Sequence, residues 1–318
     1  MANNAPGLHF RESISLVRIF RMFPDDTTSE QWFIRQRWPN GIDCIRCSSD
    51  NVNERTSHKT MPHRCRDCDK RFSVRMGTVM QSSNLGYQVW AIACYLMSTN
   101  LKGVSSMKLH RDLDITQKSA WHLAHRIRET WQDKNTEGFF SGPVEADETY
   151  VGGKEKNKHA NKKANLGRGP VGKTAVAGIR DRETGQVRAK VVDRTDGKTL
   201  KGFVNSNVKK GGEIYTDDSR AYIGLENHAT VKHSVSEYVN GQAHINGMES
   251  FWAMLKRGYH GTYHQMSPKH LDRYVTEFAG RHNVRPNDTM EQLKLMAAGM
   301  EGRQLRYADL IKPTHRTA

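Results

Sequence analysis

The stretch His244-Ile-Asn-Gly-Met-Glu-Ser-Phe-Trp-Ala-Met-Leu-Lys256 decides how the second half of the chain folds. Wound at about 100° per residue, it separates into two stripes. Met248, Phe251, Trp252 and Leu255 fall at the i, i+3, i+4, i+7 spacing of a face buried on a core. Asn246, Glu249 and Lys256 line a second stripe, with small Ala253 between them. Glu249 and Lys256 lie about two turns apart and point the same way. Taken alone, this is an amphipathic helix with a solvated polar edge. Its meaning comes from upstream, where two acidic sites sit at expected strands that this helix can complete.

Working outward, Val144 to Val151 reads as a strand containing Asp147 and Glu148. Thr174 to Arg180 and Val187 to Val192 read as paired strands across the turn Glu183-Thr-Gly185. Lys198 to Val208 reads as a helix, and Glu213 to Thr216 as a strand ending at Asp217-Asp218. Ser219 to Leu225 looks helical and Thr230 to Val235 strand-like. Pro268 to Arg281 is a further amphipathic helix, and Met290 to Met300 is helical before the chain frays. This order predicts an α/β domain with a ribonuclease-H-like mixed sheet. Asp147, Asp217 and Glu249 would converge there, and their mutual repulsion calls for a hard cation such as Mg2+ (or Mn2+). Two such ions about 3.5–4 Å apart can support in-line phosphoryl displacement. Asp218 is expected to help cap the helix that follows it.

The first half is different in character. Thr27 with Glu30 forms an expected capping box for a helix running to Trp38. Cys44-Ile-Arg-Cys47 and Cys65-Arg-Asp-Cys68, separated by 17 residues, have the spacing of a four-cysteine zinc ribbon. Four thiolates fill a tetrahedral shell, so Cys44, Cys47, Cys65 and Cys68 would hold a structural Zn2+. His58 and His63 are surplus to that shell, and Cys94 sits in an apolar helical run as ordinary core. Ser105 can cap a short helix to Leu113, Asp114-Ile-Thr116 makes a turn, and Thr116 caps a longer helix. That second helix carries Lys118, His122, His125, Arg126 and Arg128, the outline of a helix-turn-helix that contacts DNA through Lys118 and Arg126. Gly152 to Lys173 is a loop in which Lys154, Lys156, Lys158, Lys162, Lys163 and Arg168 are further DNA-binding candidates.

The expected domains are a helical adapter (1–40), the ribbon (41–76), a helical DNA-binding region (77–135), the catalytic domain (143–285) and a C-terminal helical tail (286–318). A net charge of +15 favours a polyanionic partner. No apolar run reaches about 18 residues, so no membrane span is expected. The N-terminus lacks the design of a secretory signal, and a reducing cytoplasm at the nucleoid is the expected location.

Three blocks carry a family resemblance: Val144-Glu-Ala-Asp-Glu-Thr-Tyr-Val-Gly-Gly153, Tyr215-Thr-Asp-Asp-Ser-Arg-Ala-Tyr222 and the opening stretch. With the tail Ser267-Pro-Lys-His-Leu-Asp-Arg-Tyr-Val-Thr-Glu-Phe-Ala-Gly-Arg-His-Asn-Val-Arg285 and the cysteine pairs, they resemble the bacterial DDE transposases of the ISXO-like group. The resemblance spans roughly residues 20 to 285. It implies an insertion-sequence transposase that binds terminal inverted repeats, nicks them and joins the freed 3′ ends to target DNA. It implies Asp147, Asp217 and Glu249 as metal ligands, and Lys256 as a contact to DNA phosphate. Members of that group vary in the third ligand and some use Asn, so Asn246 stands as the alternative to Glu249. A homo-oligomer on DNA is expected, since two ends are handled together, and no small-molecule substrate. The rival readings are a metal-dependent nuclease that does not join, and a domesticated DNA-binding regulator.

Overall fold

Two capped helices open the chain. Ser15 accepts from Arg18 N at 3.2 Å and begins α1 (Leu16–Met22). Asp25 accepts from Thr28 N at 2.7 Å and begins α2 (Asp26–Arg37). The cap therefore lies two residues before the expected Thr27, because the Asp25 carboxylate reaches the free N–H of the first turn and leaves Thr27 inside the helix. Next come the short strands β1 (Val52–Asn53), β2 (His63–Cys65) and β3 (Arg71–Phe72), an antiparallel sheet in that order. Helices α3 (Tyr87–Thr99), α4 (Ser106–Leu113) and α5 (Gln117–Arg128) follow. Ser105 and Thr116 cap α4 and α5 as expected, and Asp114 takes the left-handed conformation in the turn between them. The computed structural model describes residues 12–54, 56–131, 138–153, 159, 171–231 and 245–313.

The sheet unit, residues 133–283, contains β4 (Val144–Val151), β5 (Thr174–Asp181), β6 (Val187–Val192), α6 (Gly197–Asn205), β7 (Ile214–Asp217), β8 (His228–Val231), α7 (Asn246–Gly258) and all but the last residue of α8 (Leu271–Val284). Strand order is β6-β5-β4-β7-β8, with β4, β7 and β8 parallel to one another and β5 antiparallel to both its neighbours. The period-two alternation of β4 gives the sheet two faces. Val144 and Ala146 join Leu200, Val204 and Tyr222 in one core, while Val151 joins Met248, Phe251, Trp252, Leu255, Val275 and Phe278 in another. The result is a mixed α/β layer structure with α6 on one face and α7 and α8 on the other. Asp181 accepts from Glu183 N and Thr184 N at 2.9 and 2.8 Å, and Gly185 at φ +70° completes the β5–β6 turn.

Several boundaries move. Helix α6 ends at Asn205, three residues before Val208, and the Ser219–Leu225 helix shrinks to a single 3-10 turn over Arg220–Tyr222. Its cap is Ser219, not Asp218. The last strand starts at His228 instead of Thr230; residues 232–235, like His244, lie outside the described residues.

The chain does not fray after α9 (Thr289–Ala298). It returns to the first unit, which comprises residues 1–132 with 284–318. Leu293, Met296 and Met300 lie in one core with Phe23, Phe33, Cys65, Phe72, Trp90, Leu109 and Ile127. Val79 N donates to Met300 O at 3.0 Å, and a last helix, α10 (Tyr307–Ile311), buries Leu310. The adapter, ribbon, helical region and tail share one compact unit and one core.

Candidate active site and metal centre

Strand β4 brings Asp147 and Glu148 to the middle of the sheet, and β7 brings Asp217 beside them. The parallel pairing sets Val144 opposite Ile214 and Glu145 opposite Tyr215. The pairing ends there, two residues before Asp147 in the middle of β4 and Asp217 at the end of β7, and Asp217 is close enough for its charge to act on Asp147. Burial, then the charges of Asp217 and Glu148, push the Asp147 carboxyl up to about 7. Trp252 Nε1 donates to Asp147 Oδ2 at 3.0 Å, and Asp217 Oδ1 accepts from Ser219 N at 3.1 Å.

Strand alternation separates Asp147 from its neighbour. Glu148 points to the α6 side, where Tyr222 donates to its Oε2 at 2.8 Å. Asp147 faces α7, and Gly178 of β5, its cross-strand partner, lets that helix approach: a Cβ there would stand 2.6 Å from Met248 Cε and 2.7 Å from the Trp252 ring. Glu249 is one turn before Trp252 and about 60° round the helix from it. Asn246, Glu249 and Lys256 are all exposed, while the Met248–Leu255 stripe is buried. The structure therefore brings Asp147 and Asp217 together and lays the Glu249 helix over Asp147. The three carboxylates are not gathered within 4.8 Å of one another, as the four thiols are. Tyr222 and His228, whose Nε2 lies 2.7 Å from Thr216 Oγ1 beside Asp217, were not picked out from the sequence, and Trp252 was read only as core. Aromatic and histidine residues in strands and amphipathic helices carry no signal that separates a site wall from core.

The four cysteines meet as their spacing predicts. Cys44 and Cys68 sulfurs are 3.5 Å apart, Cys47 and Cys65 sulfurs 3.6 Å, and all four lie within 4.8 Å of one another. Four sulfurs about 2.3 Å from a central Zn2+ stand about 3.8 Å apart, so the set fits that ion. Burial works against ionising Cys44, but backbone N–H groups of Arg46 and Cys47 and the adjoining thiols outweigh it and bring it down to about 7. His58 Nδ1 accepts from Met61 N and His63 Nδ1 bonds Glu54 O, and neither ring joins the four-sulfur cluster. Cys94 is buried in α3, and burial pushes its thiol up to about 12.

The basic helix α5 departs from expectation. Arg126 is 5% exposed, donates to Gln81 O and stacks on the Trp90 ring, so it is a packing residue and not a surface contact. His125 and Arg128 are buried too. An amphipathic helix hides one face whatever its charges, and here the core claims the C-terminal half. Lys118 stays exposed at the N-terminal end, 4.6 Å over the Tyr307 ring. Arg46, Arg66 and Lys70 are exposed on the ribbon. Lys154, Lys156, Lys158, Lys162, Lys163 and Arg168 lie outside the described residues. No helix among the described residues is long and apolar enough to cross a membrane.

Residues 139–283, the sheet unit almost end to end, match the ISXO2-like transposase domain. Over 275 residues, 81% of this chain and 91% of the relative, the sequence is 27% identical to a Halobacterium salinarum protein described as an uncharacterized protein in transposable element ISH50.

Proposed function

We propose, from the match of residues 139–283 to the ISXO2-like transposase domain, that the chain is a DDE transposase that cuts and joins DNA at the ends of its element. The observation that carries this reading is the Asp147–Asp217 pair, carried by the adjacent parallel strands β4 and β7, with burial and then the Asp217 charge pushing the Asp147 carboxyl up to about 7. Carboxylates so placed fit a divalent cation, whose charge would offset the burial and the repulsion that raise the Asp147 carboxyl. The strand order, with β5 antiparallel inside an otherwise parallel set, supports a ribonuclease-H-like domain. Asp147 and Asp217 are the first two ligands and Glu249 the third, with Asn246 as the alternative. Mg2+ or Mn2+ bound there supplies Lewis acidity at the scissile phosphate. Trp252 holds Asp147 in orientation, Lys256 steadies a DNA phosphate, and the zinc ribbon with Lys118 and the loop lysines grips the terminal repeats. A homo-oligomer forms on paired ends.

Labelled element ends incubated with Mg2+ test this reading. Glu249→Gln, which keeps size and helix propensity, should lower cleavage and joining by about 100-fold or more while a gel shift of the same ends is unchanged. Asn246→Ala should be milder. Normal cleavage by Glu249→Gln with a dead Asn246→Ala would transfer the third-ligand role to the amide. Cleavage without joining on paired ends would favour a nuclease, and DNA binding without either a regulator.

A further inference from the structure

Helix α7 begins without a cap of its own. Ile245 stands at the N-cap position, where Ser, Thr, Asp or Asn would accept from the N–H groups of the first turn, and it makes no side-chain bond. The acceptor comes from the sheet. Glu145, fully buried and two residues before Asp147 on β4, accepts from Met248 N at 2.8 Å through Oε2. Its other oxygen is held by Arg182 Nε at 3.1 Å and Arg180 Nη1 at 3.5 Å. Gly247 makes the approach possible: a Cβ there would stand 2.6 Å from Glu145 Oε2 and closer still to Arg180 Nη1.

We propose that Glu145 is a positioning residue, a cap in trans that sets the height of α7 on β4 and so the reach of Glu249 to the Asp147 site. One strand then carries both a metal ligand and, on the same face, the anchor of the helix bearing another ligand. The spacing between them is built into two residues of backbone about 6.6 Å long. Arg180 and Arg182 neutralise the buried charge, and the positive end of the α7 dipole adds to that. The inference rests on the metal-site reading above.

Reach and charge can be separated by substitution. Glu145→Asp keeps the charge but withdraws the carboxylate by one methylene from Met248 N. Glu145→Gln keeps the reach and the acceptor oxygen but removes the charge that Arg180 and Arg182 face. Mn2+ affinity of the full chain, titrated by electron paramagnetic resonance well below the melting temperature, is the readout, with thermal unfolding beside it. Glu145→Asp should weaken Mn2+ binding by about tenfold or more, as loss of an outer partner does. Glu145→Gln should keep affinity closer to that of the unaltered chain, although it melts lower. Gly247→Ala should repeat the loss seen with Asp. The opposite order, Asp binding normally and Gln poorly, means Glu145 only balances two arginines and overturns the proposal. If Gln fails to fold, normal binding by Asp alone is enough to overturn it. The control is Asp147→Asn, which should lose Mn2+ binding whatever Glu145 does. If it does not, the metal-site reading has failed and not the capping role.

Discussion

Asp147 shows what a single residue inherits from its surroundings. An unfolded aspartate titrates at about 3.8, whereas here burial, Asp217 and Glu148 hold the group at about 7. Between those values the folded chain binds the proton more tightly than the unfolded chain does. The contribution to stability is full below about pH 4 and is lost as pH rises through 7. Metal-free protein should therefore show a melting temperature that falls across pH 4–7 from this group. Asp147→Asn should remove that part of the slope, and Mg2+ at neutral pH should restore stability. A slope unchanged by the substitution would place the proton elsewhere. The aspartate was legible in the sequence as an acid in a strand. Its unusual proton affinity was not, because it depends on a carboxylate 70 residues away in the chain, on a neighbour facing the other side of the sheet, and on depth.

Among the elements, α7 and α5 contrast. The buried stripe of α7 is the one its spacing predicts, since Met248, Phe251, Trp252 and Leu255 all face the sheet. Its height and its closeness to β5 depend on Glu145 and Gly178, neither of which announces itself in one sequence. Gly178→Ala should push Met248 and Trp252 off the strand, costing about 1–3 kcal/mol by overpacking. Cleavage should fall further than that stability loss explains, since the Trp252 bond to Asp147 goes with it. Denaturant unfolding and an end-cleavage assay on the same preparation would show both. For α5 the turn chemistry was legible and the role of its arginine was not. Lys118→Ala should lower the dependence of DNA affinity on salt by about one unit of log–log slope. Arg126→Ala should leave that slope alone and cost about 1–3 kcal/mol in stability. Equal slopes for both variants would mean that α5 takes no part in phosphate contact.

At the scale of the molecule, the segment after α8 belongs to a core begun at Ile14, near the other end of the chain. Leu293, Met296 and Met300 complete the unit of ribbon and helices, and Gly302 N donates to Gly77 O at 2.7 Å. Removing residues 286–318 strips large apolar side chains from that core. It should destabilise the zinc-ribbon unit while the 133–283 unit keeps its own cores. Limited proteolysis followed by mass spectrometry should show cuts confined to residues 12–131. Protection equal to the intact chain there would mean the tail only rests on the surface. A separate helical tail that frays was expected because local periodicity reports a helix and its apolar face without saying which partner covers it.

By itself the sequence determined what is local or chemically periodic. The four-cysteine spacing, the Ser105 and Thr116 caps, the limits of β4 and β6, and the two stripes of α7 all follow from contacts within a few residues or from ligand chemistry. The tertiary structure decided everything that depends on which surfaces meet. It turned Arg126 inward, brought the tail back to the first unit, and made Glu145 the cap of a helix a hundred residues downstream. A side chain's proton affinity, exposure and hydrogen-bond partners are set by the atoms packed round it, and those atoms come from distant parts of the chain.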